Sequence, residues 1–135
     1  MNKVVPLMAR LLMAQIFLIS GFGKLGAGYA ATAAYMKAMG TPPVLLPLVI
    51  ALEIGGGLAL VLGFKIRWAA LALALFCVVA GLIFHHNLGD RMQAIMFMKN
   101  LAMAGGLLLL HGCGAGALSV DAWRAAIPSG RSALR

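Results

Sequence analysis

The stretch VLLPLVIALEIGGGLALVLG, residues Val44–Gly63, decides the fold: it is apolar from end to end apart from a single charged residue, Glu53. A hydrocarbon core of about 30 Å takes about 20 helical residues at 1.5 Å each, the length of this run. No alternation of apolar and polar residues runs through it, so the pattern is that of a helix rather than a strand. Its surroundings agree. The chain has 135 residues, is 63% hydrophobic and only 10% charged, with a mean hydropathy of +1.00, whereas soluble domains carry about 25% charged residues. Lipid offers no partner for exposed backbone groups, so helices are the expected solution. The fold class predicted is an all-α integral membrane four-helix bundle, one domain over residues 1–135.

Four segments are predicted to span: about residues 5–23, 44–63, 68–84 and 94–111. The connection Lys24 to Pro43 is the longest and contains Tyr29 to Met39, helix-compatible and expected at the interface, before Gly40 and Pro42-Pro43 stop it. Phe64 to Arg67 is a tight link, which makes the second and third spans antiparallel neighbours. Beyond His111, Gly112 to Gly116 is too glycine-rich for a helix, and the tail to Arg135 is expected to hold a short helix starting at Ser119 or Asp121. The first stretch partly mimics a secretory signal, but Arg10 interrupts its hydrophobic segment, so a permanent span is expected. Counting Lys and Arg beside each span gives Lys3, Arg10, Lys65, Arg67, Arg124, Arg131 and Arg135 on one side against Lys24, Lys37 and Arg91 on the other. Both termini, and with them the C-terminal tail, are therefore expected to be cytoplasmic.

The net charge of +8 does not point to nucleic acid. The basic residues sit at the ends of apolar runs, beside lipid headgroups, and no basic cluster is interleaved with aromatics. Cys77 and Cys113 form no CxxC and fall at different depths, so no redox dithiol is expected. No metal site is expected either: His85 and His86 are adjacent and point about 100° apart on a helix, not as an i, i+4 chelate. Their plain reading is interfacial, and the sharper one has His85 or His86 at the mouth of a cavity, passing protons. No flavin or haem motif is present, and Gly55 to Gly57 is no nucleotide signature without a preceding strand.

The chemistry centres on Glu53. An ionised carboxylate at mid-bilayer costs roughly 2.5–3.5 kcal/mol on insertion scales, so it calls for a cation or a cavity. Two cations are the candidate partners, Arg10 from the inner side and Lys99 from the outer, with Lys99 needing the smaller shift in depth. Arg10, Phe17 and Lys24 recur at heptad spacing on one face of the first span, with Gln15 midway. Snorkelling to headgroups is the plain reading of Arg10 and Lys24, and Lys99 beside Asn100 can snorkel or turn inward. Glu53 itself reads either as a pair that fixes helix register or as a functional group. Small residues at Gly55, Ala59 and Gly63, and at Ala102 and Gly106, make stripes for close helix approach.

Taken in order, Arg10, Ser20-Gly-Phe-Gly-Lys-Leu25, Tyr35 to Pro43, Glu53-Ile-Gly-Gly-Gly-Leu58 with Leu62-Gly63 and Arg67, Phe97-Met-Lys-Asn-Leu101 with Gly105-Gly106, and Leu118-Ser-Val-Asp121 resemble the DoxX family. The likeness runs over nearly the whole chain. It implies a four-helix bundle in the bacterial cytoplasmic (inner) membrane and a redox association, since some relatives form the membrane subunit of a thiosulfate:quinone oxidoreductase. The expectation is a component of a quinone-linked redox system, with Glu53 and Lys99 in catalytic roles and Arg10, Gln15, Lys24, His85 and Asn100 binding the ligand. Electrons would come from a bound donor or a redox partner protein, since nothing in the chain carries them alone. The rival reading is a non-catalytic membrane subunit or scaffold that docks a partner enzyme. A transporter or channel would need a homo-oligomer.

Overall fold

The computed structural model describes residues 3–127; Arg131 and Arg135, counted above for orientation, lie outside them. Six α-helices follow in order: α1 Val4–Gly23, α2 Ala27–Ala38, α3 Leu46–Leu62, α4 Ile66–Phe84, α5 Arg91–Cys113 and α6 Val120–Ala126, with a 3-10 turn at Pro43–Leu45 leading into α3. Four stretches are long and apolar enough to cross a membrane: Val4–Gly23, Pro43–Leu62, Ile66–Phe84 and Arg91–Cys113. These are the four spans the sequence predicts. α1 packs on α3, α3 on α4 and α4 on α5. A ring closes at Gly106 of α5, where a Cβ would stand 3.3 Å from Met13 Cε of α1.

Local chemistry sets the ends. α3 closes on Gly63, whose φ of 65° is left-handed, and Phe64 N donates to Ala59 O at 3.0 Å, the 6→1 bond of a Schellman motif. The next turn is completed from the far end of the chain, because the Asp121 carboxylate accepts from Lys65 N at 2.8 Å and Ile66 N at 2.9 Å. Those amides have no partner within α4, so Asp121 serves as its cap. Arg10, with 0% of its surface accessible, donates to Leu60 O at 3.2 Å, to Val61 O at 3.3 Å and to Leu118 O. A cation on the last carbonyls of α3 complements the negative end of that helix. The start of α6 is thus bolted to the α3–α4 turn, on the same end of the bundle as the beginning of α1. Ser119 caps α6, as expected, accepting from Ala122 N at 3.1 Å.

At the other end α2 packs against α3 and α4. Tyr35 stacks on Phe84 of α4 with ring centroids 5.5 Å apart, and Met36 is buried with Leu46 and Ile50 of α3. The main core, centred on Phe17, Leu60, Leu73, Cys77 and Leu107, fills the half nearer the α3–α4 turn. Cys77 is buried within it while Cys113 is exposed, and both are free thiols.

The glycine contacts correct the expected stripes. Gly55 faces open space, whereas a Cβ on Gly56 would meet Leu73 of α4 at 2.9 Å and one on Gly57 would meet Leu18 of α1 at 2.8 Å. α3 is wedged between two neighbours. Consecutive helical positions point about 100° apart, so two adjacent glycines, not an i, i+4 row, let both neighbours approach. On α5, Ala102 faces outward and only Gly106 meets a neighbouring helix.

Candidate functional site

Glu53 lies on the face of α3 turned toward α1 and is only 3% accessible. Gly21 of α1 makes the approach so close that a Cβ there would stand 3.1 Å from Glu53 Cβ and 2.7 Å from Ile54 Cγ1. One turn further along α1, the cation arrives. Lys24 Nζ lies 2.8 Å from Glu53 Oε2 and 3.0 Å from Oε1. Ser20 Oγ donates to Oε1 at 2.9 Å and accepts from Lys24 Nζ at 2.5 Å. Ser20 and Lys24, at i and i+4, share one helical face, and the pair closes a triangle of carboxylate, hydroxyl and ammonium. Lys24 therefore bends inward instead of snorkelling to headgroups. The carboxylate keeps its charge partner, and the hydroxyl orients both.

This triangle forms one wall of an open cavity of about 520 Å³ lined by residues of α1, α2, α3, α4 and α5. Phe17, Tyr35, Phe76, Phe84 and the thioethers of Met36, Met96 and Met103 give it an apolar, aromatic lining, into which Thr32, His85, Lys99 and Asn100 bring polar groups. α2 supplies Thr32, Tyr35 and Met36. His85 Nδ1 lies 3.2 Å from Gln93 Oε1, and Asn100 Nδ2 donates to Met96 O at 3.0 Å. Among the described residues, Lys99 has no ion pair or hydrogen bond, so its ammonium remains available to whatever occupies the cavity.

The structure thus gathers Glu53, Lys24, His85, Lys99 and Asn100 around one space and leaves two of the predicted residues elsewhere. Arg10 is spent on the carbonyls of Leu60, Val61 and Leu118 at the opposite end of α3. Gln15 faces outward from α1. Neither borders the cavity, and the partner of Glu53 is Lys24 rather than Arg10 or Lys99. The physical reason is length: Arg10 and Glu53 are separated by nearly two turns of α3, whereas Lys24 needs only to fold back over one turn of its own helix. His86 also lies outside, in a shallow recess beside Met39 to Pro42.

The comparisons with known proteins match this architecture. The DoxX family model aligns with residues 5–86, which include Ser20, Lys24 and Glu53. The chain belongs to the DoxX family. Inner membrane protein YqjF of Escherichia coli K12 is 50% identical over 121 residues, covering 90% of this chain and 92% of that protein. Inner membrane protein YphA of the same organism is 36% identical over 127 residues, covering 89% of this chain and 90% of its own. No solved structure matches the chain. In this DoxX protein the cavity extends past the family match, since α5, with Lys99 and Asn100, follows residue 86.

Sequence reasoning passed over Ser20 as a site residue and Tyr35, Thr32 and Cys77 as cavity lining. A signal for Ser20 was present. Its i, i+4 spacing to Lys24, next to a glycine at 21, places a hydroxyl and an ammonium where α1 comes nearest to a neighbour. The lining from α2 had no comparable signal, because it is defined only once that helix packs on α3 and α4.

Proposed function

We propose that this DoxX protein is a quinone-linked component of a redox system in the bacterial inner membrane, with the cavity beside Glu53 as the head-group site. The observation that carries the reading is a buried, charge-paired carboxylate in the wall of an apolar cavity of small-molecule size: about 520 Å³ within the usual range of roughly 300–1,000 Å³. The lining suits a quinone ring, with aromatic faces to stack on it and the unpaired Lys99 to donate to a carbonyl oxygen. A bound quinone would supply a couple that takes up two electrons and two protons.

The chain's own residues would position and protonate. Lys99 and Asn100 orient the head from α5, and His85 stands at the outer rim. Glu53, held by Lys24 and Ser20, is the group in the cavity wall that can exchange a proton. Electrons would arrive from a donor bound at the same cavity or from a partner protein. Inner-membrane residence is supported by the names of both relatives. Cytoplasmic termini are supported by the Lys and Arg count, and an impermeant thiol reagent added outside sealed cells should then label a Gly89→Cys site but not Cys113.

The deciding test is recovery of ligand. Protein purified in mild detergent should carry a quinone extractable into organic solvent at close to one per chain. Protein that is folded, empty, and unable to take up added quinone in nanodiscs would overturn the proposal and leave the scaffold reading. That rival also has an observation behind it: Glu53 is ion-paired with Lys24 and accepts from Ser20 at Oε1, as in a pair that only fixes helix packing.

A further inference from the structure

A carboxamide stands alone on the outside of the bundle. Gln15 lies eleven residues after the start of α1, which at 1.5 Å each puts it about 16 Å along the helix, near the middle of the span. It faces away from the other helices and, among the described residues, makes no hydrogen bond. Every other large side chain on that face is apolar: Met8, Leu11, Ile19 and Phe22 all point outward, Ile19 with 70% of its surface accessible. In hydrocarbon such a group lacks a partner, and an unsatisfied amide in an apolar medium costs several kcal/mol.

We propose that this face of α1 is the interface of a homodimer, with Gln15 of one copy hydrogen-bonded to Gln15 of the other across a two-fold axis. The occupant is a second copy because a carboxamide is self-complementary. It carries donor and acceptor together, so two identical groups facing each other satisfy both, and an isologous two-fold contact brings a residue near the axis opposite itself. Copies inserted the same way up present α1 in parallel, so the two amides meet at the same depth. Met8, Leu11, Gln15, Ile19 and Phe22 recur at steps of three and four along this face, so a parallel copy would bring apolar side chains together around one polar position. The proposal does not rest on the quinone reading, as Gln15 is on the opposite side of α1 from the cavity.

The experiment uses the full chain reconstituted at low density in liposomes. In a Cys113→Ser background, single cysteines replace Leu11 or Phe22 on the seam, or Leu75 on the outward face of α4 as control, and disulfide formation is followed under copper-phenanthroline. Cross-linked dimers should form at Leu11→Cys and Phe22→Cys and not at Leu75→Cys. Subunit counting by single-molecule photobleaching should show dimers whose dissociation constant in lipid rises about 3- to 20-fold in Gln15→Leu, the range for one interhelical polar contact, with Gln15→Asn retaining most of the affinity. A monomeric wild type, cross-linking as strong at Leu75→Cys, or dimers unaffected by Gln15→Leu would each overturn the proposal.

Discussion

Lys24 Nζ and Glu53 Oε2 are 2.8 Å apart, and they come from helices that approach closely at Gly21. The cation is at the C-terminal end of α1 with 19% of its side chain accessible, while the carboxylate is almost wholly buried. The pair is therefore asymmetric. Lys24 reaches the surface of the bundle and Glu53 does not, so losing the lysine leaves an orphaned charge inside the bundle.

That asymmetry gives the first prediction. Lys24→Met should destabilise the protein by about 3 kcal/mol, the low end for breaking a buried pair. The double variant Lys24→Met, Glu53→Met removes both charges and should recover most of the loss, because an apolar pair of similar volume is often as stable as the ion pair it replaces. Thermal unfolding of the four proteins of this double-mutant cycle in one detergent is the check. Equal melting temperatures for Lys24→Met and wild type would show that the pair contributes nothing.

The helix approach can be probed separately from the charges. Gly21→Ala places a Cβ 3.1 Å from Glu53 Cβ, 2.7 Å from Ile54 Cγ1 and 3.3 Å from Ile54 N, and neither backbone nor Cβ can swing aside. A cost of about 1–3 kcal/mol is expected for this overpacking. Gly55→Ala, where nothing lies within 4 Å, should be neutral or more stable by up to about 1 kcal/mol, since alanine is the better helix former. The two substitutions are chemically identical, so the difference in melting temperature reads the α1–α3 contact alone.

A third prediction concerns the opposite end. Asp121→Ala removes the acceptor for Lys65 N and Ile66 N and should cost about 0.5–2 kcal/mol, as the loss of a helix cap does. Asp121→Asn keeps an acceptor oxygen and should lose less. Hydrogen exchange at the amides of Lys65 and Ile66 should accelerate in Asp121→Ala while that of the core around Leu73 is unchanged; uniform acceleration throughout would mean that the contact is not a local cap.

The sequence made the spans legible because their signal, apolar length, is a property of each segment by itself. The short helix after the glycine-rich stretch was legible from local signals too, with its start left between Ser119 and Asp121. The partner of Glu53 was not, because depth along isolated spans suggested Lys99 or Arg10, and only the packed bundle reveals that Lys24 folds back over Ser20. Arg10 was misplaced by a related error: its acceptors are backbone carbonyls, which carry no sequence signature, so a search for a carboxylate partner could not find them. The glycine stripe failed because a spacing rule for one interface was applied to α3, which has two.

The last prediction separates a reactive Glu53 from a structural one. Glu53→Gln keeps the shape and an acceptor oxygen for Ser20 and Lys24, but it cannot be ionised and so cannot exchange a proton. If the cavity is a quinone site, the variant should assemble and melt close to wild type, with its loss showing in quinone retention or in quinone-linked turnover. A purely packing role predicts the reverse order. Lys24 would be left as a half-buried cation without its counter-charge, stability should fall toward that of Lys24→Met, and any ligand effect should follow the fraction of folded protein. Melting temperature and extractable quinone are measured on the same preparation, so the two losses can be compared directly. A Glu53→Gln protein that is stable, holds its quinone and turns over normally would remove Glu53 from the chemistry.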